Sequence, residues 1–379
     1  MGAIEKFQEI YENRHDYGRD WKARHPEGKM LGYFCTYLPE EITYAAGILP
    51  VRLLGSHEIE DDSAPHIFPM FCPHCRDVLA QGLQGRYDYL DGIGAANCCM
   101  HMLQAFESWA FHKNTTHFRV DMPSTTQGPH SRNHLRRELE CFKTEDIEKW
   151  AGKEITDDAL DYAIEVYNEN RRLMRQVYEL RKAERPPITG LESMYMVVSS
   201  QFMDKAEHNQ LIKEALGELK NRKLDRETGT RLMIVGSEND DVEFIGMVEQ
   251  KMVLPATVVI DDHCTGSRYF WNEVIPETDR LQAIASRYID RPACPNKDWP
   301  EHRRFPHILQ LAKEWRAEGA ITIQQKFCDP HELDIPSLRE YLKENGVPTY
   351  LLELDVTVPI GQFSTRVEAF IESLMTDIV

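Results

Sequence analysis

The stretch KMLGYFCTYLPEEITYAAGILPVRLLG, residues 29–55, decides the fold class. Its first part, KMLGYFCT (29–36), is an apolar run with the length of a buried strand. PEEITYAAG (39–47) follows, with Pro at the start and Gly at the end of a short helix. ILPVRLLG (48–55) is a second apolar run and reads as a second strand. Strand, helix and strand in close succession form the unit of a parallel sheet, because parallel strands need a crossover between them.

The same rhythm continues outward. CPHCRDVLAQGLQG (72–85) reads as a helix closed by Gly85, YDYLDGIGAANC (87–98) as a strand with its exit loop, MHMLQAFESWAFH (100–112) as a helix and HFRVDMP (117–123) as a strand. From 131 to 230 the rhythm is lost. DDALDYAIEVYNENRRLMRQVYELRKAE (157–184) has helical periodicity and no strand signal. Strand-like runs return at RLMIVGS (231–237), ATVVIDD (256–262), AITIQQKFC (320–328) and PTYLLELD (348–355). Between and after them, 242–251, 306–319, 335–346 and 364–375 read as helices. The expected architecture is α/β. Two flavodoxin- or Rossmann-like parallel-sheet domains, 1–130 and 231–379, are joined by a helical connector, 131–230. No Gly-rich dinucleotide fingerprint or phosphate loop stands at a strand–helix junction, so a nucleotide site of that kind is not expected.

The chain has 379 residues, 42% hydrophobic and 28% charged, with a net charge of -18. Such acidity argues against general nucleic-acid binding, which rests on neutralising phosphates. Local basic spots such as RNHLRREL (132–139) fit a solvated helix face. No window approaches the roughly 20 apolar residues of a membrane helix. The start, MGAIEKFQEI, has neither a signal region nor the myristoylation pattern, so the expected location is the cytoplasm, with no membrane partner.

Nine cysteines in a large chain of this kind do not suggest a disulfide framework. Their places are informative. Cys35 ends the first strand run, Cys98 and Cys99 the third, and Cys328 ends AITIQQKF. Cys264 follows ATVVIDDH, and Cys72 opens a helix. Ligands of open parallel sheets bind beyond the carboxyl ends of the strands, and helix starts stabilise thiolates. The chain has one C-x-x-C pair, Cys72-Pro-His-Cys75, which gives neither a zinc pattern nor a thioredoxin-like context. Scattered cysteines at loop ends fit an iron–sulfur cluster held between two domains.

At these residues the sequence resembles the subunits of 2-hydroxyacyl-CoA dehydratases and ATP-dependent class I benzoyl-CoA reductases. GYFCTYLPEEITYAAGILPVRLLG (32–55), with Pro39, Glu41 and Gly47, is similar to the family's first block. FCPHCRDVL, with Cys72 and Arg76, is similar to the second. GRYDYLDGIGAANCCMHMLQAFESW, with Cys99 and Trp109, is similar to the third, although Met100 replaces the usual acidic residue. DDHCTGSRYF (261–270) and residues 327–355 match two later blocks. The resemblance implies a cluster, [4Fe-4S] or a fused double cubane, held by Cys72, Cys99 and Cys328. Cys75, Cys98, Cys35 and Cys264 are alternates, and Cys141 and Cys294 are set apart as non-ligands. It also implies a homologous cluster-bearing partner subunit, a separate ATP-hydrolysing iron–sulfur activator and an acyl-CoA substrate.

The chemistry would need electrons at potentials that iron–sulfur sites reach, down to about -700 mV. His101, His263 and His331 lie close to cysteines and are candidate proton donors, as is Glu41. Arg268 would pair with an anion or pin a loop. The leading expectation is a benzoyl-CoA reductase subunit, reducing an aromatic acyl-CoA. The alternatives are a β-type (R)-2-hydroxyacyl-CoA dehydratase subunit, and a cluster-binding relay subunit without substrate chemistry.

Overall fold

The computed structural model describes residues 1–58 and 62–376. Two helices, α1 (Ala3–Glu12) and α2 (Arg14–Arg24), precede the first sheet. Then come β1 (Lys29–Tyr33), α3 (Glu40–Ala45), β2 (Ile48–Arg52), α4 (Pro73–Leu83), β3 (Gly92–Ala96), α5 (Met100–Lys113) and β4 (His117–Val120). The connector holds α6 (Ser131–Cys141), a π-helical turn (Phe142–Ile147), α7 (Glu148–Ala151), α8 (Asp157–Leu180), α9 (Gly190–Ser199) and α10 (Lys205–Leu219). The last part has β5 (Thr230–Gly236), α11 (Val242–Gln250), β6 (Ala256–Asp262), α12 (Ser267–Phe270), α13 (Arg280–Asp290) and α14 (Arg304–Glu314). It closes with β7 (Gly319–Gln325), α15 (Asp329–Glu344), β8 (Thr349–Leu354) and α16 (Ile360–Met375).

The α/β architecture is as expected. Both sheets are parallel and four-stranded, with orders β2-β1-β3-β4 and β6-β5-β7-β8. These orders are the same winding used twice. In each sheet the chain moves first to one side and then to the other, so a switch point opens between β1 and β3, and again between β5 and β7. Lys29 of β1 pairs with Ile48 and Leu31 with Gly92. Leu232 of β5 pairs with Gly319. Pro50 sits inside β2 without breaking the sheet, because β2 is an edge strand with β1 as its one partner.

The strands are shorter than the apolar runs. The 29–36 run leaves the ladder after Tyr33, and the 87–98 run is paired over Gly92–Ala96. The residues past the last ladder pair become exit loops, and these carry the cysteines. The reading of 335–346 as a helix starts too late: α15 begins at Asp329, with Pro330 in its first turn and Asp329 and Glu332 on the positive end of its dipole. Helices α1, α2, α12 and α13 were not anticipated.

Alternation along β1 feeds two cores. Met30 joins Phe7, Tyr11, Met196 and the second sheet, while Leu31 and Tyr33 join Trp109 and, from α13, Ile284 and Tyr288. Packing therefore interlocks distant parts of the chain: α1 lies on α9, and α13 lies on α6. Buried polar bonds hold the same arrangement. Arg291 donates to Thr36 O and Oγ1 at 2.8 and 2.9 Å. Glu41 pairs with Arg171 and accepts from Tyr288 Oη at 3.0 Å. Burial opposes the charge on Glu41, but the Arg171 guanidinium holds its carboxyl below the usual range.

His208 shows what this burial implies for pH. Its Nε2 lies 2.9 Å from Met196 O and its Nδ1 2.8 Å from Asn170 Nδ2, so the neutral ring is fully bonded. Burial, with the Lys205 charge nearby, pushes its pKa down to about 3. The unfolded ring takes a proton near pH 6.5 and the folded ring does not. Its contribution to stability is therefore complete above about pH 6.5 and is lost as the pH falls toward 3. Denaturant titrations from pH 7.5 to 5 are expected to show falling stability, and His208→Gln is expected to remove up to about 1.4 kcal/mol per pH unit of that slope. An unchanged slope would contradict the assignment.

Candidate functional site

The two switch points face each other across the cleft between the sheets. The loops after β1 and β3 meet the loops after β5 and β7 around one small cavity of about 80 Å³. That is well below the roughly 300 Å³ at which pockets for drug-sized ligands begin, and suits a compact group. Eight of the nine cysteines line it: Cys35, Cys72, Cys75, Cys98, Cys99, Cys264, Cys294 and Cys328. Cys141 is exposed at the end of α6.

Three of these cysteines share one local geometry. Cys72 is the N-cap of α4, Cys99 of α5 and Cys328 of α15, and no side chain caps any of the three helices. The positive ends of three helices thus meet at the cavity, each carrying a sulfur at its first position. Cys75 lies inside α4 and Cys98 in the loop before α5, so both line the cavity without this placement. Trp109 on α5 packs where α4 has Gly82. A Cβ there would come within 2.4 Å of the indole, so the glycine sets how closely these two helices approach.

The thiols form a coupled set. The Sγ atoms of Cys72 and Cys75 lie 3.2 Å apart. The hydrogen bond from Cys75, aided by His101, draws Cys72 down to about 5. A bond with Cys98 draws Cys35 down to about 6. Cys75 and Cys98, on the donating side of these bonds, are raised well above the usual thiol range. Burial raises Cys328, reinforced by the negative fields of Cys72 and Cys99. Burial likewise pushes Cys264 up to about 12.

Buried polar atoms around the same space are unpaired. Arg52 is 1% exposed, and among the described residues none of its three guanidinium nitrogens has a hydrogen-bond partner. Among the described residues, Arg291 Nε, Gln325 Oε1 and His331 Nδ1, all from residues on the cavity wall, also have no hydrogen-bond partner, and Arg268 Nε faces Asp262 Oδ1 at 3.5 Å. Unmet buried donors carry a cost of about 1–3 kcal/mol each, and more when charged. Three buried guanidiniums beside thiols fit a compact group of net negative charge. With soft sulfur donors, that chemistry suits iron–sulfur species.

The other residues singled out from the sequence separate clearly. His331 is buried on the cavity wall. His101 takes the Cys72 backbone N–H on Nδ1 at 3.2 Å, stacks on Phe71 and has Nε2 3.6 Å from Asp329. Arg268 reaches the cavity but also donates to Gly236 O and Asp262 O, pinning its loop. Arg76 pairs with Asp355 at 3.0 Å. His263 bonds Thr265 at 3.0 Å and does not line the cavity. Glu41 is not brought there either, because it is held in the buried pair with Arg171. Cys294, expected from the sequence not to be a ligand, lines the cavity beside the others. Arg52, His74 and Glu238 were missed. A charged residue inside the apolar run ILPVRLLG was the available signal for Arg52.

A family profile described as 2-hydroxyglutaryl-CoA dehydratase, D-component, matches residues 35–374. The (R)-phenyllactyl-CoA dehydratase beta subunit of Clostridium sporogenes is 30% identical over 97% of each chain. The (R)-2-hydroxyglutaryl-CoA dehydratase beta subunit of Acidaminococcus fermentans is 28% identical over 98% of each. A benzoyl-CoA reductase subunit of Thauera aromatica is 28% identical over 87% of this chain and 86% of its own. Among the described residues, no helix is long and apolar enough to cross a membrane.

Gly236 tests how the second switch point is built. It has φ +140, and a Cβ there would stand 2.0 Å from Ile323 O of the neighbouring strand. Gly236→Ala is expected to push β5 away from β7 and destabilise the protein by about 2 kcal/mol or more, measured by urea unfolding. A change within about 0.5 kcal/mol, the range of ordinary surface substitutions, would refute this reading.

Proposed function

We propose that this chain, which belongs to the 2-hydroxyglutaryl-CoA dehydratase D-component family, is the β-type subunit of an (R)-2-hydroxyacyl-CoA dehydratase and holds an iron–sulfur cluster in its cysteine cavity. The observation that carries this is the gathering of eight cysteines from the loops of both sheets at one small cavity, three of them at helix N-termini. Cys72, Cys99 and Cys328 are the proposed ligands. When bound, a cluster of this kind supplies an electron at low potential to an acyl-CoA thioester.

The chain's own residues do the rest. The N-termini of α4, α5 and α15 stabilise the three thiolates. Arg52, Arg268 and Arg291 set positive charge against the cluster, which favours the state with one more electron. His101 holds a proton on Nε2 at the rim, where Phe71 and Asp329 orient the ring, and His331 offers a neutral imidazole on the wall. The cavity is too small for a coenzyme A thioester, so a homologous partner would bring the acyl group to its edge. A separate ATP-hydrolysing activator would deliver the electron.

A second reading is the benzoyl-CoA reductase subunit toward which the sequence leans. The similarity to the Thauera aromatica reductase, at 28% identity, favours it. The longer alignments to dehydratase β subunits favour the dehydratase. The purified complex, given reductant and ATP, separates the two. Dehydration of a 2-hydroxyacyl-CoA is expected, and turnover of benzoyl-CoA alone would replace the first reading by the second.

Cys72→Ser, Cys99→Ser and Cys328→Ser are each expected to lose most iron and acid-labile sulfide after anaerobic purification, while Cys141→Ser keeps both. Equal iron in all four variants would refute the ligand set. Arg52→Gln is expected to retain iron but move the midpoint potential, followed by electron paramagnetic resonance (EPR) during a redox titration, to a more negative value. An unmoved potential would remove Arg52 from this role.

A further inference from the structure

Beside the cysteines stands a second group that the proposed chemistry does not use. His74 lies in the first turn of α4, and Glu238 and Asp240 lie in the loop between β5 and α11. One ligand atom from each falls within 4.8 Å of the other two. His74 Nδ1 is 3.2 Å from Glu238 Oε2. His74 is 6% exposed, Asp240 1%, and the Glu238 side chain 10%.

Two of these groups are not fully satisfied by the protein. Among the described residues, His74 Nε2 and Glu238 Oε1 have no hydrogen-bond partner, Glu238 Oε2 faces His74 Nδ1, and Asp240 Oδ1 is ion-paired with His57 Nε2. The Glu238 carboxylate and the His74 imidazole, buried at this range with unmet atoms, are unfavourable, and a cation shared with Asp240 would answer both. Arg52 lies within the field of Glu238, yet none of its nitrogens bonds to it. Asp240 is held in place. Its Oδ2 accepts the Gly55 N–H at 2.5 Å, and His57 Nε2 lies 2.7 Å from its Oδ1. A histidine beside a carboxylate in this way orients it as a ligand.

We propose that His74, Glu238 and Asp240 bind one divalent first-row metal ion, Mn2+, Fe2+ or Zn2+, as a mononuclear site separate from the cysteine ligands. One nitrogen and carboxylate oxygens are the donors such ions take, whereas thiolates select softer partners. The ion ties α4, packed on the first sheet, to the loop that leaves the second sheet, and so clamps the cleft beside the cysteine cavity. The proposal does not depend on the cluster.

Mn2+ is the probe, because carboxylate sites hold it while thiols do not compete for it. The full-length protein, purified anaerobically and treated with EDTA, is titrated with Mn2+ and followed by EPR, with iron and sulfide measured on the same samples. One Mn2+ per chain is expected, with nitrogen coupling from a single imidazole, and added Mn2+ should raise the thermal midpoint. Asp240→Asn and Glu238→Gln should each weaken binding about tenfold or more without changing iron or sulfide. His74→Gln should abolish the nitrogen coupling. Thermal unfolding shows that the variants fold, and Mn2+ should not raise their midpoints. Absence of bound Mn2+ in the wild type, or equal binding in the wild type and both carboxylate variants, would overturn the proposal. So would binding that survives these substitutions but is lost in Cys72→Ser, which would place the ion on the thiols. A sample without iron and sulfide that still binds Mn2+ would separate this site from the cluster reading.

Discussion

Three helix N-termini aimed at one point are the constraint on which the rest of the structure depends. Parallel winding puts a helix start after each strand, and using the same strand order twice lets two sheets present those starts to each other. Each of α4, α5 and α15 brings the positive end of its dipole and a cysteine at its cap. Such a junction is unfavourable when empty of negative charge, since like dipole ends and buried guanidiniums face one another. Thiolates and a bound anionic group would relieve it.

The remainder of the fold holds that junction closed. Neither lobe is packed by its own segment of chain alone. The N-terminal helices lie in the core of the second sheet, and α13, which follows β6, lies in the core of the first. Arg291 on Thr36 and Glu41 on Arg171 bond across the same boundary. The first ties two segments of the cavity wall together, and the second ties α3 to α8 away from the cavity. Glu41 therefore matters for position and does not face the reacting space.

Much of this was legible in the sequence because strand–helix rhythm is a local property. Apolar runs and their Pro and Gly boundaries located all eight strands. The cysteines at strand exits pointed to a shared site, since the carboxyl ends of parallel strands are where such folds bind ligands. What stayed hidden depended on tertiary packing. Cys98 and Cys99 look equivalent as neighbours, and only the start of α5 at Met100 separates them. Cys294 sits in no strand or long helix, so nothing local ties it to the others. Arg52 ends β2 of the first sheet and Glu238 follows β5 of the second, so their meeting at one cavity depends on how the two sheets pack.

The central claim is that the cysteine cavity holds an iron–sulfur cluster through ligands from both sheets. Iron and acid-labile sulfide analysis of the wild-type chain, purified without oxygen, tests it most directly. Equal, near-stoichiometric amounts of iron and sulfide are expected. A folded, oxygen-protected chain with neither would contradict the account.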